Sequence, residues 1–386
     1  MEKPVVLYFI LRVDRETQIT GGAWSTLHII THLEKFAPFV VSNQSDLLTC
    51  KLDEFGIPCK VIACEYPLLN FTQKKITAKI KALWEILVYN LKFGWIAWRI
   101  NPTIINCDEM GAIMVFLGAK LTGSKLVIYA RNGFRSRQLR WVYKMPMFFS
   151  DAIVAISREL GDFIKEHGGQ IISRKVVPIY NAVDINGIDK FKRERSMQAC
   201  RAELGMPMNT TAIGVVAFIE DRKRQKEFLL HVVRRMKNNK TLAFYLIGGI
   251  KEDDYYNQCR RIIEEQTIEN VELVGFHENI YPWYRALDVV CLPSKSEGLP
   301  RALIEASAFG LSVVAFNIPG CREAVVNGET GFLVETFDEF TQHLSTLIQN
   351  EAIRQQMGKK GYEYVSENFD ALRNTRMLET LYEGLL

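Results

Sequence analysis

Short apolar runs of strand length alternate with helical patterns along this chain, and the alternation starts twice. Val5 to Leu11 opens the first set, which continues through residues 5–130 and ends with Asp151 to Ser157 and Val176 to Tyr180. Ala212 to Ile219 opens the second, followed by Leu242 to Ile247, Val271 to Val274, Leu287 to Leu292 and Leu311 to Phe316. Strands that alternate with helices predict parallel sheets covered by helices on both faces. At 386 residues the chain exceeds one ordinary core and suits two such α/β domains.

Bulk properties narrow the function classes. Hydrophobic residues make up 48% of the chain, too many for disorder. The net charge of +4 gives no argument for a nucleic-acid partner. Eight cysteines are scattered without a Cys-x-x-Cys pair, a usage that points to reduced thiols in a cytoplasmic compartment. Val5 to Leu11 follows Lys3 as a signal segment might, but no small-residue cleavage site succeeds it, so it reads as a strand.

Most of the chemistry gathers between Pro293 and Ala306. The strand Leu287 to Leu292 leads into turn residues, and Pro300 stands where a helix can begin. Helix formers follow until Gly310. Glu297 and Glu305 therefore flank a helix N-terminus at the carboxyl end of a strand, where open α/β sheets bind ligands. The free N–H groups of such an end favour a phosphate. A carboxylate repels one, so each glutamate is expected to bind neutral hydroxyls to either side of it. At 1.5 Å per residue the two sit roughly 10 Å apart, a span that suits a ribose at one end of a diphosphate and a hexose at the other.

Glu297 and Glu305, seven residues apart within Pro-Ser-x-x-Glu-Gly-Leu-Pro-x-x-Leu-x-Glu-Ala, resemble the signature of family-four retaining glycosyltransferases of the GT-B fold. The resemblance continues through Asn317-Ile318-Pro319-Gly320-Cys321-Arg322-Glu323 and Gly328 to Val334, and is dense from about Gly275 onward. It implies two doubly wound Rossmann-like domains facing across a cleft: residues 1–182 for the acceptor, 183–368 for the donor, and 369–386 as a helix crossing back. Asn181-Ala182-Val183-Asp184 resembles the family's interdomain link. The implied substrate is a nucleotide-diphosphate sugar, with UDP as the expected nucleotide, and no metal or other cofactor is required. The acceptor is expected to be a saccharide of a cell-surface glycan, free or lipid-linked.

The same resemblance assigns the site. Glu297 with the backbone of Gly298 and Leu299 orients the sugar, and Glu305 holds the ribose. Lys223 and the helix start at Pro300, Arg301, Ala302 and Leu303 take the diphosphate. The family's usual arginine position falls on Phe218, which leaves Arg222 or Arg224 as its substitute, or a site that relies on one cation and the helix N-terminus. Gly22 brings backbone close to the substrates, and Phe276 lies in the base-contacting segment. No side chain stands out as a nucleophile, which leaves a front-face transfer. A sugar-nucleotide epimerase or a non-catalytic nucleotide-sugar sensor on the same fold remains open at this point. A phosphorylase would need a pyridoxal-binding lysine motif that is not found.

Residues 74–99 are unusual. Ile76, Ile80, Leu83, Leu87, Leu91, Trp95 and Trp98 mark one helical face, and one face of this helix is expected to pack on the domain core. Trp84, Ile86, Val88, Tyr89, Phe93 and Ile96 add apolar groups elsewhere, with Lys74, Lys75, Lys79, Lys81, Lys92 and Arg99 against the single acid Glu85. Such an excess resembles an interfacial membrane helix. Arg131 to Phe149, with Arg135, Arg137, Arg140, Trp141 and Lys144, is a second basic, aromatic stretch. Both predict attachment to an anionic membrane surface, at the inner face of the cytoplasmic membrane. His28 and His32 read as ordinary helix-surface histidines, lacking the glutamate of a His-Glu-x-x-His metal motif.

Overall fold

The computed structural model describes residues 3–12, 21–64, 76–131 and 140–386, with only the backbone of Arg140 and Trp141. The chain divides into two compact units, residues 1–182 with 371–386, and residues 183–370.

In the first unit, β1 (Val5–Ile10), β2 (Ala37–Ser42), β3 (Cys59–Val61), β4 (Ile104–Asp108), β5 (Lys125–Ala130), β6 (Ala152–Ala155) and β7 (Val176–Pro178) form one sheet. Its order is β3-β2-β1-β4-β5-β6-β7, every pairing parallel. In the second, β8 (Thr211–Val216), β9 (Leu242–Ile247), β10 (Val271–Gly275), β11 (Val289–Leu292), β12 (Ser312–Phe316) and β13 (Gly331–Val334) run in the order β10-β9-β8-β11-β12-β13, again all parallel. The apolar runs dictate this outcome. Central strands such as β6, β11 and β12 are buried along their whole length, as parallel strands covered on both faces must be. Strand order reverses between β1 and β4 and between β8 and β11, the crevices where doubly wound sheets take their ligands.

Strand starts differ from expectation for local reasons. The strand expected at Leu287 begins at Val289, because Leu287 caps the Tyr281–Ala286 helix and donates its N–H to the Trp283 carbonyl. Asp288 then accepts from Arg201 Nη2 and from the Ala212 N–H, both at 2.7 Å. Periodicity marks no strand at Gly331–Val334, yet β13 closes the sheet edge there.

The final helix, Ala371–Leu385, belongs to the first unit. Its Glu379 carboxylate accepts the Glu34 and Lys35 backbone N–H groups at 2.8 and 2.6 Å. Buried Tyr382 lies 3.2 Å from the Tyr8 hydroxyl and accepts from Asn106 Nδ2 at 2.6 Å.

The Ile76–Ile100 helix packs along the Glu109–Thr122 helix. A Cβ added at Gly118 would lie 2.9 Å from the Asn90 oxygen and the Gly94 nitrogen, so the two backbones approach as only glycine permits. Buried Asn90 donates to the Ile86 and Ile113 carbonyls at 2.9 Å and accepts from the Leu117 N–H at 3.0 Å. This close seam selects the core face: Ala82, Ile86, Tyr89, Phe93, Ile96 and Ala97 are buried. The stripe from Ile76 to Trp98 that the periodicity marks is exposed. Lys74, Lys75, Arg135 and Arg137 lie outside the described residues, as do the Arg140 and Trp141 side chains.

Candidate active site

Strands β8 and β11 lie side by side at the reversal point of the second unit, and each ends in a polar loop. After β8 the chain makes a short 3-10 turn, Asp221–Lys223, and leaves it through Arg224 in left-handed backbone, φ 57°. After β11 it runs from Pro293 to Pro300 before the Arg301–Ala308 helix. The two loops are cross-linked. The Lys295 N–H donates to the Arg222 carbonyl at 2.8 Å, Arg222 Nη1 returns a 2.8 Å bond to the Ser296 carbonyl, and Lys295 Nζ lies 2.6 Å from Asp221.

That cross-link brings Lys223 to Glu297. The ammonium sits 2.6 Å from Glu297 Oε1, with both side chains nearly buried at 12% and 8% exposure. Arg222 reaches Glu297 Oε2 at 3.4 Å and is itself held by Glu220 at 2.6 Å. Glu297 is therefore one half of an ion pair, where repulsion from phosphate alone predicted a carboxylate standing apart. A cation between the carboxylate and a phosphate removes that repulsion. Of the two candidate substitutes for the missing arginine, only Arg222 faces this pair. Arg224 turns into the core, its guanidinium 4.5 Å from the ring centroids of both Phe316 and Phe337. Phe218 meets Lys251 Nζ, 5.8 Å from its ring centroid.

Pro300 is the N-cap rather than the first helical residue, at φ −76° and ψ 101°. Glu305, on the buried side of this helix, bonds Arg301 Nε at 2.7 Å. Leu299 and Leu303 are buried, and Arg301 and Ala302 are half-buried. Phe276 stands exposed just beyond β10. Gly22 belongs to the first unit, where Gly21 and Gly22 form the first turn of the Gly21–Thr31 helix instead of a turn before it. Burial pushes the Tyr281 and Tyr284 hydroxyls well above the ordinary tyrosine range, and the nearby Glu305 charge adds to it. The Cys321 thiol is raised likewise, first by burial and then by Glu297. None of the three offers an ionised nucleophile near neutral pH.

Gly320 packs against the backbone of the Glu297-Gly298 loop. Its φ is +80°, and a Cβ there would fall 2.4 Å from the Gly298 carbonyl oxygen. Gly320→Ala is expected to lower stability by about 1–3 kcal/mol through backbone strain and to push the Glu297-Gly298 loop outward. Thermal unfolding checks it: the variant should melt earlier than the wild type.

Sequence reasoning did not single out Glu220, Asp221, Lys295 or Ser296. Alternating charges in two separate loops read as solvated, and only the adjacency of β8 and β11 makes them partners. It also passed over Ser294, whose buried hydroxyl has no hydrogen-bond partner among the described residues. In the first unit, Arg131 is turned inward. It bonds Asp108 at 2.8 Å, Asn181 at 2.9 Å and Thr26 at 2.7 Å, beneath Gly22. Lys144 Nζ donates to the His167 carbonyl. These two are thus unavailable to the membrane role predicted for their stretch. His32 Nδ1 lies 2.6 Å from the His28 carbonyl.

Residues 196–364 match the family described as glycosyl transferases group 1. The chain is 24% identical over 317 residues to the capsular polysaccharide biosynthesis glycosyltransferase CapM of Staphylococcus aureus, covering 79% of this chain and 83% of that protein. It is 28% identical over 254 residues to a D-inositol 3-phosphate glycosyltransferase of Corynebacterium jeikeium, covering 60% of this chain and 57% of that one. In structure it resembles Anabaena Alr3699/HepE, solved in complex with UDP and glucose, with TM-score 0.76 and 19% identity over 97% and 98% of the two chains. The matched segment spans Lys223, Glu297 and Glu305, and both sheets have the Rossmann-like order. Residues 196–364 of the second unit thus carry the glycosyl transferases group 1 pattern, on a chain whose two Rossmann-like sheets have the GT-B fold.

Proposed function

We propose that the protein transfers a hexose from UDP-hexose to a hydroxyl of a glycan acceptor with retention of the anomeric configuration and without a metal ion. The observation that carries this reading is the Lys223–Glu297 pair at the reversal point of the second sheet. The relatives support the nucleotide and the acceptor class: HepE was solved with UDP and glucose, and CapM is a capsular polysaccharide enzyme.

Lys223, Arg222 and the N–H groups at the start of the Arg301–Ala308 helix meet the diphosphate. These positive groups stabilise the charge that grows on it as the bond to C1 breaks. Glu297, with the backbone of Gly298 and Leu299, orients the sugar hydroxyls while the ring gains positive character. The acceptor oxygen attacks C1 from the face the diphosphate leaves. The departing phosphate oxygen takes the acceptor proton, so charge and atoms balance without a protein nucleophile. Glu305 accepts from the ribose hydroxyls after exchanging Arg301 for them. The acceptor is a saccharide of a cell-surface glycan, lipid-linked and reached at the inner face of the cytoplasmic membrane.

A thermal-shift screen of nucleotide sugars, followed by transfer to membrane-extract glycans and assignment of the product anomer by NMR, tests the reading. Turnover of donor without any acceptor would replace it with epimerase chemistry, and inversion at C1 would overturn the front-face route. Glu305→Gln is expected to weaken UDP binding about tenfold or more, since a hydrogen bond to a charged group is worth about 1.5–3 kcal/mol. Titration of UDP against this variant decides it. Wild-type affinity would remove the ribose role.

A further inference from the structure

The Ile76–Ile100 helix turns a second apolar face outward. Ile76 is 73% exposed, Trp84 65% and Trp98 71%, with Ile80, Leu83 and Leu91 beside them. At 3.6 residues per turn these side chains, with Leu87 and Trp95, fall within an arc of roughly 120°. Lys81, Lys92 and Arg99 fall together along one margin of that arc, all exposed. The Arg99 guanidinium and the Lys60 ammonium stand 4.8 and 5.7 Å from the Trp95 ring centroid, joining the basic margin to the aromatic stripe. The helix has one acid, Glu85, 3.6 Å from Lys81. The neighbouring Glu109–Thr122 helix adds Leu121, 73% exposed, while its Lys120 is paired with Asp151 at 3.0 Å. Beyond it, Phe148 and Phe149 are nearly half exposed, with Lys175 Nζ 6.0 Å from the Phe148 ring.

Soluble proteins scatter exposed apolar side chains singly; a stripe this long, rimmed by cations, marks a docking surface. No helix among the described residues is long and apolar enough to cross a membrane. A tryptophan-rich stripe with a lysine and arginine margin suits a helix lying in the headgroup plane. A second copy would set like-charged margins against each other, whereas an anionic bilayer complements them. We infer that the exposed face of the Ile76–Ile100 helix docks on an anionic lipid bilayer, with Trp84, Trp95 and Trp98 entering the interface. This deepens the glycosyltransferase reading, on which the value of docking to a lipid-linked acceptor rests. The docking itself rests on the surface alone.

The full chain, co-sedimented with vesicles of phosphatidylcholine alone or mixed equally with phosphatidylglycerol, tests it. Binding is expected only with the anionic lipid, falling as salt rises, with a blue shift of tryptophan emission. At about 1 kcal/mol per basic residue near an anionic surface, the combined Lys79→Gln, Lys81→Gln and Lys92→Gln variant should bind about a hundredfold more weakly. Trp84→Ser with Trp98→Ser should lose at least tenfold. Both variants should keep the wild-type circular dichroism and UDP thermal shift. Wild-type failure to bind the mixed vesicles, equal binding to both kinds, or variants binding as wild type does would overturn the inference. So would a dimer in sedimentation velocity that the tryptophan variant dissolves. Vesicle binding without any nucleotide shift would instead sink the donor assignment and leave the surface standing.

Discussion

Lys223→Ala is expected to weaken UDP binding by roughly ten- to a hundredfold while leaving uridine binding unchanged. The lysine is the most deeply placed cation at the crevice of the second unit, and its ammonium already has a carboxylate at 2.6 Å. Removing it takes one charge-assisted bond from the diphosphate, worth about 1.5–3 kcal/mol. It also leaves Glu297 nearly buried with only Arg222 at 3.4 Å, so the carboxylate faces the phosphate less shielded. Both effects have the same sign. Calorimetric titration of UDP and uridine against the variant separates them from a general loss of fold. Arg222→Ala should cost less, because that side chain is 44% exposed and shared with Glu220. Arg224→Ala should lower the melting temperature with little effect on affinity, because it removes a cation packed against both Phe316 and Phe337. A larger affinity loss at either arginine would move the diphosphate contact off Lys223.

Why Lys223 and Glu297 were each legible and their pairing was not is a matter of distance along the chain. The Glu297 and Glu305 spacing and the apolar run before it are local, and local pattern survives folding. Leu242 to Ile247 is a strand over the residues its apolarity marks. The Lys223–Glu297 pair spans 74 residues and exists only because β8 and β11 are neighbours, a property of strand order that no window reveals. The Ile76–Ile100 helix failed differently. Its pattern put apolar groups on every side and did not say which face meets the core, since periodicity weighs hydrophobicity without asking what volume the neighbour allows. The seam with the Glu109–Thr122 helix sets Gly94 and Asn90 against Gly118, and the face buried with them carries Ala82, Ile86, Tyr89, Phe93, Ile96 and Ala97. Two small residues and a polar one, which score low as core signals, marked the line of contact.

Glu297→Gln is expected to lower kcat by about a hundred- to a thousandfold, the scale of losing one preorganised charge at a transition state, with the donor KM unchanged or reduced. Glutamine keeps an oxygen for the Lys223 ammonium but removes the negative charge. In the ground state that loss favours the diphosphate, because Lys223 no longer shares itself with a carboxylate at 2.6 Å. In the transition state the sign reverses. The sugar ring becomes positive as C1 separates from the leaving oxygen, and the carboxylate that opposed the ground state now stabilises it. A change confined to kcat identifies an interaction made chiefly in the transition state, whereas a raised KM with kcat intact would make Glu297 a simple sugar-binding group. Steady-state kinetics with the donor varied at saturating acceptor distinguishes the two. UDP titration of the same variant supplies the ground-state half. Tighter UDP binding with slower transfer fits the ion pair as described, and weaker UDP binding would mean that Glu297 holds Lys223 in place for the phosphate instead of competing with it.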